Sequence, residues 1–163
     1  MRVARASVAL ARRQAAWIVA IEPWRGLGDS AAGLRRWLGR KAGQGQVRVA
    51  VERDEVRGVI VTQPEVLLGH FIALVAVLPA AAGQGIGRML VEEAATRAAR
   101  RVRWLYTSSD ADNRAAARFY RKLGFVRVGR LPGLVRVGRM EILWRRPSEL
   151  SGQSARSPGK PAR

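Results

Sequence analysis

Cysteine is absent from this chain of 163 residues, and histidine occurs once, as His70. The first absence excludes disulfides, thiolate nucleophiles and cysteine-ligated zinc or iron–sulfur centres. The second leaves no multi-histidine metal site and little prospect of a Ser-His-Asp arrangement. Whatever chemistry the chain performs must come from carboxylates, hydroxyls, amines and backbone amides, and no metal site is expected. Acidic residues are also scarce, 12 against 30 basic ones, for a formal charge of +18. Such a field favours anionic ligands, nucleic acid or an anionic membrane surface without choosing among them. Lysine contributes only Lys41, Lys122 and Lys160, and the arginine and alanine richness is also what a GC-rich genome writes. Long apolar runs are missing too. The amino terminus has the charged start of a secretory signal, but Arg12 and Arg13 interrupt its apolar core, and Ala15 to Ile21 is short. Nothing approaches the roughly 18 apolar residues of a membrane span, so a soluble cytoplasmic protein with no membrane partner is expected.

Apolar residues make up 48% of the chain and charged residues 26%, which suits one folded domain of this length. That domain is expected over 1–146. From Pro147 onward the composition turns to Ser, Gly, Pro and Arg with almost nothing to bury, so 147–163 reads as a disordered basic tail. A short strand followed by a helix is one reading of Val3 to Ala20. Asp29-Ser30 can cap a helix from Ala31 to about Lys41, with Leu34, Trp37 and Leu38 on one face. Val47 to Glu52 and Val56 to Thr62 form a β-branched hairpin that Pro64 closes. Phe71 to Val77 reads as a central strand buried on both faces. Ile86, Leu90, Ala94 and Ala98 mark an amphipathic helix to about Arg101. Trp104 to Ser109 is a further strand, Asn113 to Lys122 a helix stopped at Gly124, and Phe125 to Val128 and Met140 to Trp144 are strands joined by a Leu131-Pro132-Gly133 turn. The strand-helix-strand-helix-strand order of the second half indicates an α/β or α+β sandwich.

The feature richest in chemistry is Gly83-Gln84-Gly85-Ile86-Gly87-Arg88, where a strand feeds a glycine turn that opens a helix. Free backbone amides and the positive end of a helix dipole meet there, and the glycines let an anion come close. No Gly-Lys-Ser/Thr follows, which removes a Walker-type loop. Position 88 is arginine, where a dinucleotide fingerprint needs a third glycine. In isolation, a tight turn with no ligand is the plainer reading.

The turn is not isolated. Val75-Ala76-Val77-Leu78-Pro79, then Gly83 to Leu90, then Asn113-Arg114-Ala115-Ala116-Ala117-Arg118-Phe119-Tyr120 with Leu123-Gly124-Phe125 together resemble the GNAT superfamily of N-acetyltransferases over roughly residues 47–145. The resemblance implies a mixed, mostly antiparallel sheet flanked by helices, in which the strand ending at Val77 splays from that of Trp104 to Ser109. It implies acetyl-CoA as the acetyl donor, with Val75, Ala76 and Val77 pairing with the pantetheine arm. Gly83, Gln84, Gly85, Ile86, Gly87 and Arg88 would hold the pyrophosphate, and Asn113 would also contact the cofactor. Tyr120 would donate a proton to the leaving thiolate, and a backbone N–H near Val77 could stabilise the oxyanion. Spacing agrees in one respect, since Asn113 and Tyr120 are two helical turns apart. The plainer readings of this pair are a helix N-cap and a core aromatic.

Two departures stand out. Relatives usually carry Arg or Gln three residues before the central glycine, and here that residue is Ala82, so Arg88 is the candidate substitute. Neither central strand carries a carboxylate, which leaves the general base unassigned among Glu22, Glu65 and His70. The implied reaction is acetyl transfer to a primary amine of a small molecule or protein, by a monomer or homodimer. The acceptor would be chosen by Pro23 to Leu27 and Leu131 to Arg136. The rival reading is a non-catalytic acyl-CoA or nucleic-acid binding module. The charge, the missing base and the Ala82 departure favour it, and the scattered tryptophans, which build no stacking platform, do not.

Overall fold

The computed structural model describes residues 1–28 and 30–148. Its sheet has seven strands in the order β1-β2-β3-β4-β5-β7-β6: β1 Arg2–Arg5, β2 Val47–Glu52, β3 Glu55–Val66, β4 Gly69–Val77, β5 Trp104–Asp110, β6 Val126–Pro132 and β7 Met140–Pro147. Every pairing is antiparallel except β4 with β5. The expected splayed, mostly antiparallel sheet flanked by helices is therefore the observed one.

The amino-terminal segment resolves into β1 and two short helices, α1 Val8–Arg13 and α2 Ala15–Ile18. Ser7 caps α1 by accepting the Leu10 amide, and Gln14 breaks the pair of helices, its side chain bonded to the Leu10 carbonyl and the Trp17 indole. After α3 Trp24–Leu27 comes α4 Ala31–Gly43, capped by the Ser30 hydroxyl on the Gly33 amide. Asp29, also considered as a cap, lies outside the described residues. Leu34, Leu38 and Ala42 of α4 pack with Ala11, Ala15 and Ile18 against Val47, Val49, Val59, Val61, Leu74 and Ala76 on one face of the sheet.

The opposite face carries α5 Ile86–Ala99 and α6 Arg114–Lys122. Ile86, Leu90, Val91, Ala94, Ala95 and Ala98 cover Ile60, Ile72 and Leu105, while Tyr120, Leu123 and Phe125 cover Ile142 and Trp144. Arg146 of β7 locks this layer. Its guanidinium grips Glu92 of α5 through two bonds of 3.0 and 2.7 Å and donates to the Leu123 carbonyl at 2.6 Å. With Arg146 only 7% exposed, removing one partner costs about 3 kcal/mol.

Three local expectations give way. β3 does not close at Pro64 but runs to Val66, with its register broken between Gln63 and Val66, because a proline without an N–H is tolerated where the ladder is already interrupted. Leu131 and Pro132 belong to β6 rather than to a turn, and the hairpin is closed by the Gly133 amide on the Arg139 carbonyl at 2.8 Å. β7 runs on to Pro147, and the buried Ser148 donates its amide to Arg103 and its hydroxyl to Val102. Of the expected tail, the part from Glu149 onward lies outside the described residues.

Candidate active site

β4 and β5 are joined at three positions only, His70 with Leu105, Phe71 with Tyr106 and Ile72 with Thr107. On its other side β4 stays paired with β3 as far as Val77 with Gly58. From Ala73 to Val77 the β5-facing edge of β4 therefore has no strand partner. An unpartnered edge inside a sheet is a template for an extended ligand. Val75, Ala76 and Val77 lie on it.

The chain leaves β4 through a single 3-10 turn, Pro79–Ala81, and reaches the glycines. Gly83 and Gly85 adopt φ of 78° and 77°, the left-handed region that L side chains avoid, so that successive amides turn toward one point. Gly85 is the N-cap of α5 and offers no side-chain acceptor to the first-turn amides, nor does an acidic residue stand there. Gly87 serves close approach. A Cβ would stand 3.2 Å from the Phe119 ring and 3.6 Å from Val77, so the start of α5, the end of β4 and α6 converge there. A hollow of about 320 Å³ lies against this turn, lined by Met1, Glu52, Gln84, Gly85, Ile86 and Met89. The Ile86 side chain is buried in the core, leaving its backbone for the turn, while Gln84 and Arg88 are exposed. Glu92, four residues after Arg88, is held by Arg146, and among the described residues Arg88 makes no ion pair.

Tyr120 is enclosed edge-on by Phe119 and Phe125, with ring centroids 5.2 and 5.4 Å away. It is both a core aromatic and a polar group in a critical place. Thr107 Oγ1 lies 3.1 Å from the Ile72 carbonyl and 3.3 Å from Tyr120 Oη, so the phenol stands at the last rung before the sheet opens. Burial raises the Tyr120 pKa, and Glu141 adds to the rise against the Thr107 hydrogen bond. The phenol keeps its proton at neutral pH and is a weaker acid than a solvated tyrosine. Asn113 is the N-cap of α6. Its Oδ1 accepts the Ala116 amide at 2.9 Å, which leaves its NH₂ as the part free to meet a ligand.

The proton acceptors weighed from the sequence fare poorly. Glu22 is exposed, pairs with Arg25 at 2.9 Å and accepts the Gly26 amide, so it organises α3. Glu65 and His70 lie toward the closed end of β4. His70 faces Arg97 and Arg101 near the far end of α5, a helix that rises about 20 Å from the glycine turn. A carboxylate that sequence reasoning passed over stands on the opposite face of the sheet from Tyr120's helix. Glu141 of β7 is paired in register with Asp110 and is 6% exposed. Burial raises its pKa, as does Asp110, while the Ser108 hydroxyl and Arg139 oppose the rise. In sequence, Met140-Glu141-Ile142 reads as a routine outward-pointing polar residue in an alternating strand. Across the cleft, Arg136 donates to the Gly26 carbonyl at 2.9 Å, joining the two segments expected to flank an acceptor.

Comparison with known proteins fits this geometry. No curated protein matches the chain in sequence. An aminoglycoside 6'-N-acetyltransferase complexed with coenzyme A superposes with a TM-score of 0.75 at 18% identity, over 94% of this chain and 100% of that one. The ribosomal-protein-S18-alanine N-acetyltransferase from Escherichia coli gives 0.70 at 20% identity, over 93% and 96%. The ribosomal-protein-alanine N-acetyltransferase from Brucella melitensis gives 0.72 at 22%, over 90% and 99%. The profile of the acetyltransferase (GNAT) domain matches residues 43–127, from the end of α4 through the open edge of β4, the glycine turn and Tyr120, and the chain belongs to that family.

Proposed function

We propose that this protein is an acetyl-CoA-dependent N-acetyltransferase that moves an acetyl group to a primary amine, of a small molecule or a protein, by direct attack of the amine on the thioester. The observation that carries the reading is the unpartnered edge of β4 beyond Ile72, bounded by the glycine turn and by the Tyr120 hydroxyl. An edge strand, an amide cradle and a protonated phenol are what a pantetheine arm, a pyrophosphate and a departing thiolate require. One structural relative is a complex with coenzyme A.

On this reading Val75, Ala76 and Val77 pair with the amide groups of the arm, and Gly83 to Arg88 hold the pyrophosphate mainly through backbone amides. The short Ala82 side chain withholds one cationic contact. Arg88 supplies charge from the first turn of the helix, and Asn113 offers its NH₂ to the cofactor. The bound thioester supplies the activated acetyl group. Tyr120 holds a proton at Oη for the thiolate, and Thr107 steadies that hydroxyl. A donor buried in this way is effective through position more than through acidity.

The test is direct. Acetyl-CoA at about 100 times its dissociation constant adds roughly 2.7 kcal/mol to stability, read as a rise in melting temperature. Thiol release is then followed across a panel of alkyl amines and peptide amino termini. An unmoved melting temperature sinks the reading, and binding without thiol release against any amine moves the protein to the non-catalytic acyl-CoA module.

A further inference from the structure

We propose that Glu141 is the general base of the acceptor half of the site, taking a proton from the acceptor's ammonium group before it attacks. The proposal rests on the acetyltransferase reading and assigns the one role that reading leaves empty. Register places the residue. Asp110 pairs with Glu141 and Ser108 with Leu143, so Ser108, Asp110 and Glu141 share one face of the sheet, the face opposite Thr107 and Trp144. Ser108 is also the first residue of β5 beyond its last rung with β4. Glu141 is its diagonal neighbour across β5 and β7, on the face of the sheet that borders the opening. Tyr120 meets Thr107 on the other face of the sheet, so Tyr120 and Glu141 lie on opposite faces beside β5.

The neighbouring carboxylates are committed elsewhere. Arg139 binds Asp110 at 2.8 Å and lies 3.8 Å from Asp112. Glu141 makes no ion pair among the described residues although it is more than nine-tenths buried. A carboxylate on a buried residue with no ion pair of its own can receive an alkylammonium, and burial favours its neutral form, so it accepts a proton more readily than a solvated carboxylate. The charged groups that act on it are Asp110 on β5, which disfavours its ionised form, and Arg139 after β6, which favours it; Tyr120 lies on the opposite face.

The protons balance. One leaves the ammonium for Glu141 and passes on to solvent. The free amine forms the N–C bond as the C–S bond breaks. The amine's second proton is lost as the amide forms, and one proton reaches sulfur from Tyr120, which is reprotonated in turn. The sum is one amide, one thiol and one proton released.

The experiment compares wild type, E141Q and E141D by acetyl-CoA thermal shift and by thiol release from pH 6 to pH 9. E141Q is expected to keep the acetyl-CoA shift and to lose on the order of 100-fold in kcat/KM at neutral pH. Its deficit should shrink as pH rises toward the amine's own pKa, because an amine already neutral needs no base, and E141D should recover part of the rate. Turnover by E141Q within about threefold of wild type, or a deficit that is the same at every pH, overturns the role while leaving the acetyltransferase reading intact. A wild type that neither binds acetyl-CoA nor releases thiol overturns the reading and the role together.

Discussion

β4 and β5 meet at one end of the site and part at the other, and the two ends are built from different materials. At the closed end Gly69 lies so near β5 that a Cβ would stand 2.5 Å from the Trp104 carbonyl, and His70 faces the arginines at the end of α5. At the open end the strand edge is bare, two glycines of the turn sit in the left-handed region, and Tyr120 and Glu141 lie on opposite faces of the sheet. Three rungs of pairing hold the strands together where packing is dense, and hydrogen-bonding capacity is left unspent along the edge to which the proposed function assigns acetyl-CoA. Packing is thus concentrated at the closed end, and the proposed chemistry is assigned to the open one.

The sharpest way to break that division is Tyr120→Phe. The ring stays in its aromatic cage, so stability should change little, while kcat falls by about 100-fold with the acetyl-CoA dissociation constant within twofold. An unaltered kcat would return Tyr120 to a purely packing role. The next test pairs one glycine from each end. Gly85→Val forces a β-branched residue to φ 77° and should weaken acetyl-CoA binding by about tenfold, the equivalent of the roughly 1–2 kcal/mol that left-handed backbone costs. Gly69→Ala should instead cost about 1–3 kcal/mol of stability by overpacking, read as a lower melting temperature at unchanged acetyl-CoA affinity. Swapped outcomes, with Gly69→Ala losing ligand and Gly85→Val losing only stability, would erase the distinction between the ends. A smaller effect is expected from Arg88→Ala, about threefold in acetyl-CoA affinity at low salt and less at high salt, because the guanidinium is exposed. No change would mean that the backbone amides compensate for Ala82 without it.

The open end was largely legible in the sequence, and for a local reason. A glycine turn between a strand and a helix, and a capped helix ending in Leu-Gly-Phe, are written in consecutive residues whose conformations their neighbours dictate. Glu141 was not legible, because what distinguishes it from any outward-pointing glutamate is its cross-strand register with Asp110 and the cover over that face, and neither is encoded near position 141. The run of β3 beyond Pro64 was missed because a local rule, proline ends the ladder, yields where the ladder is irregular anyway. Gln14 presents the same difficulty, since its helix-breaking bonds to Leu10 and Trp17 depend on side-chain geometry rather than on type.

The faintest expected signal carries the comparison into pH. His70 at the closed end has its pKa lowered by burial and by Arg97 and Arg101, so the unfolded chain binds its proton more tightly. Its contribution is present above the ordinary histidine pKa of about 6.5 and is lost as pH falls from there toward the folded value. Glu141 has the opposite sign. Its folded pKa is raised, so the folded chain binds the proton more tightly, and its contribution is present at low pH and is lost as pH rises from the ordinary carboxylate range through the folded value. The two trends oppose each other in mildly acidic solution and flatten the stability profile there. Denaturant unfolding as a function of pH separates them. Measured against wild type, His70→Asn should remove a climb toward neutrality, and Glu141→Gln should remove a decline that begins in the ordinary carboxylate range. Parallel profiles in the two variants would show that neither group changes its proton affinity on folding.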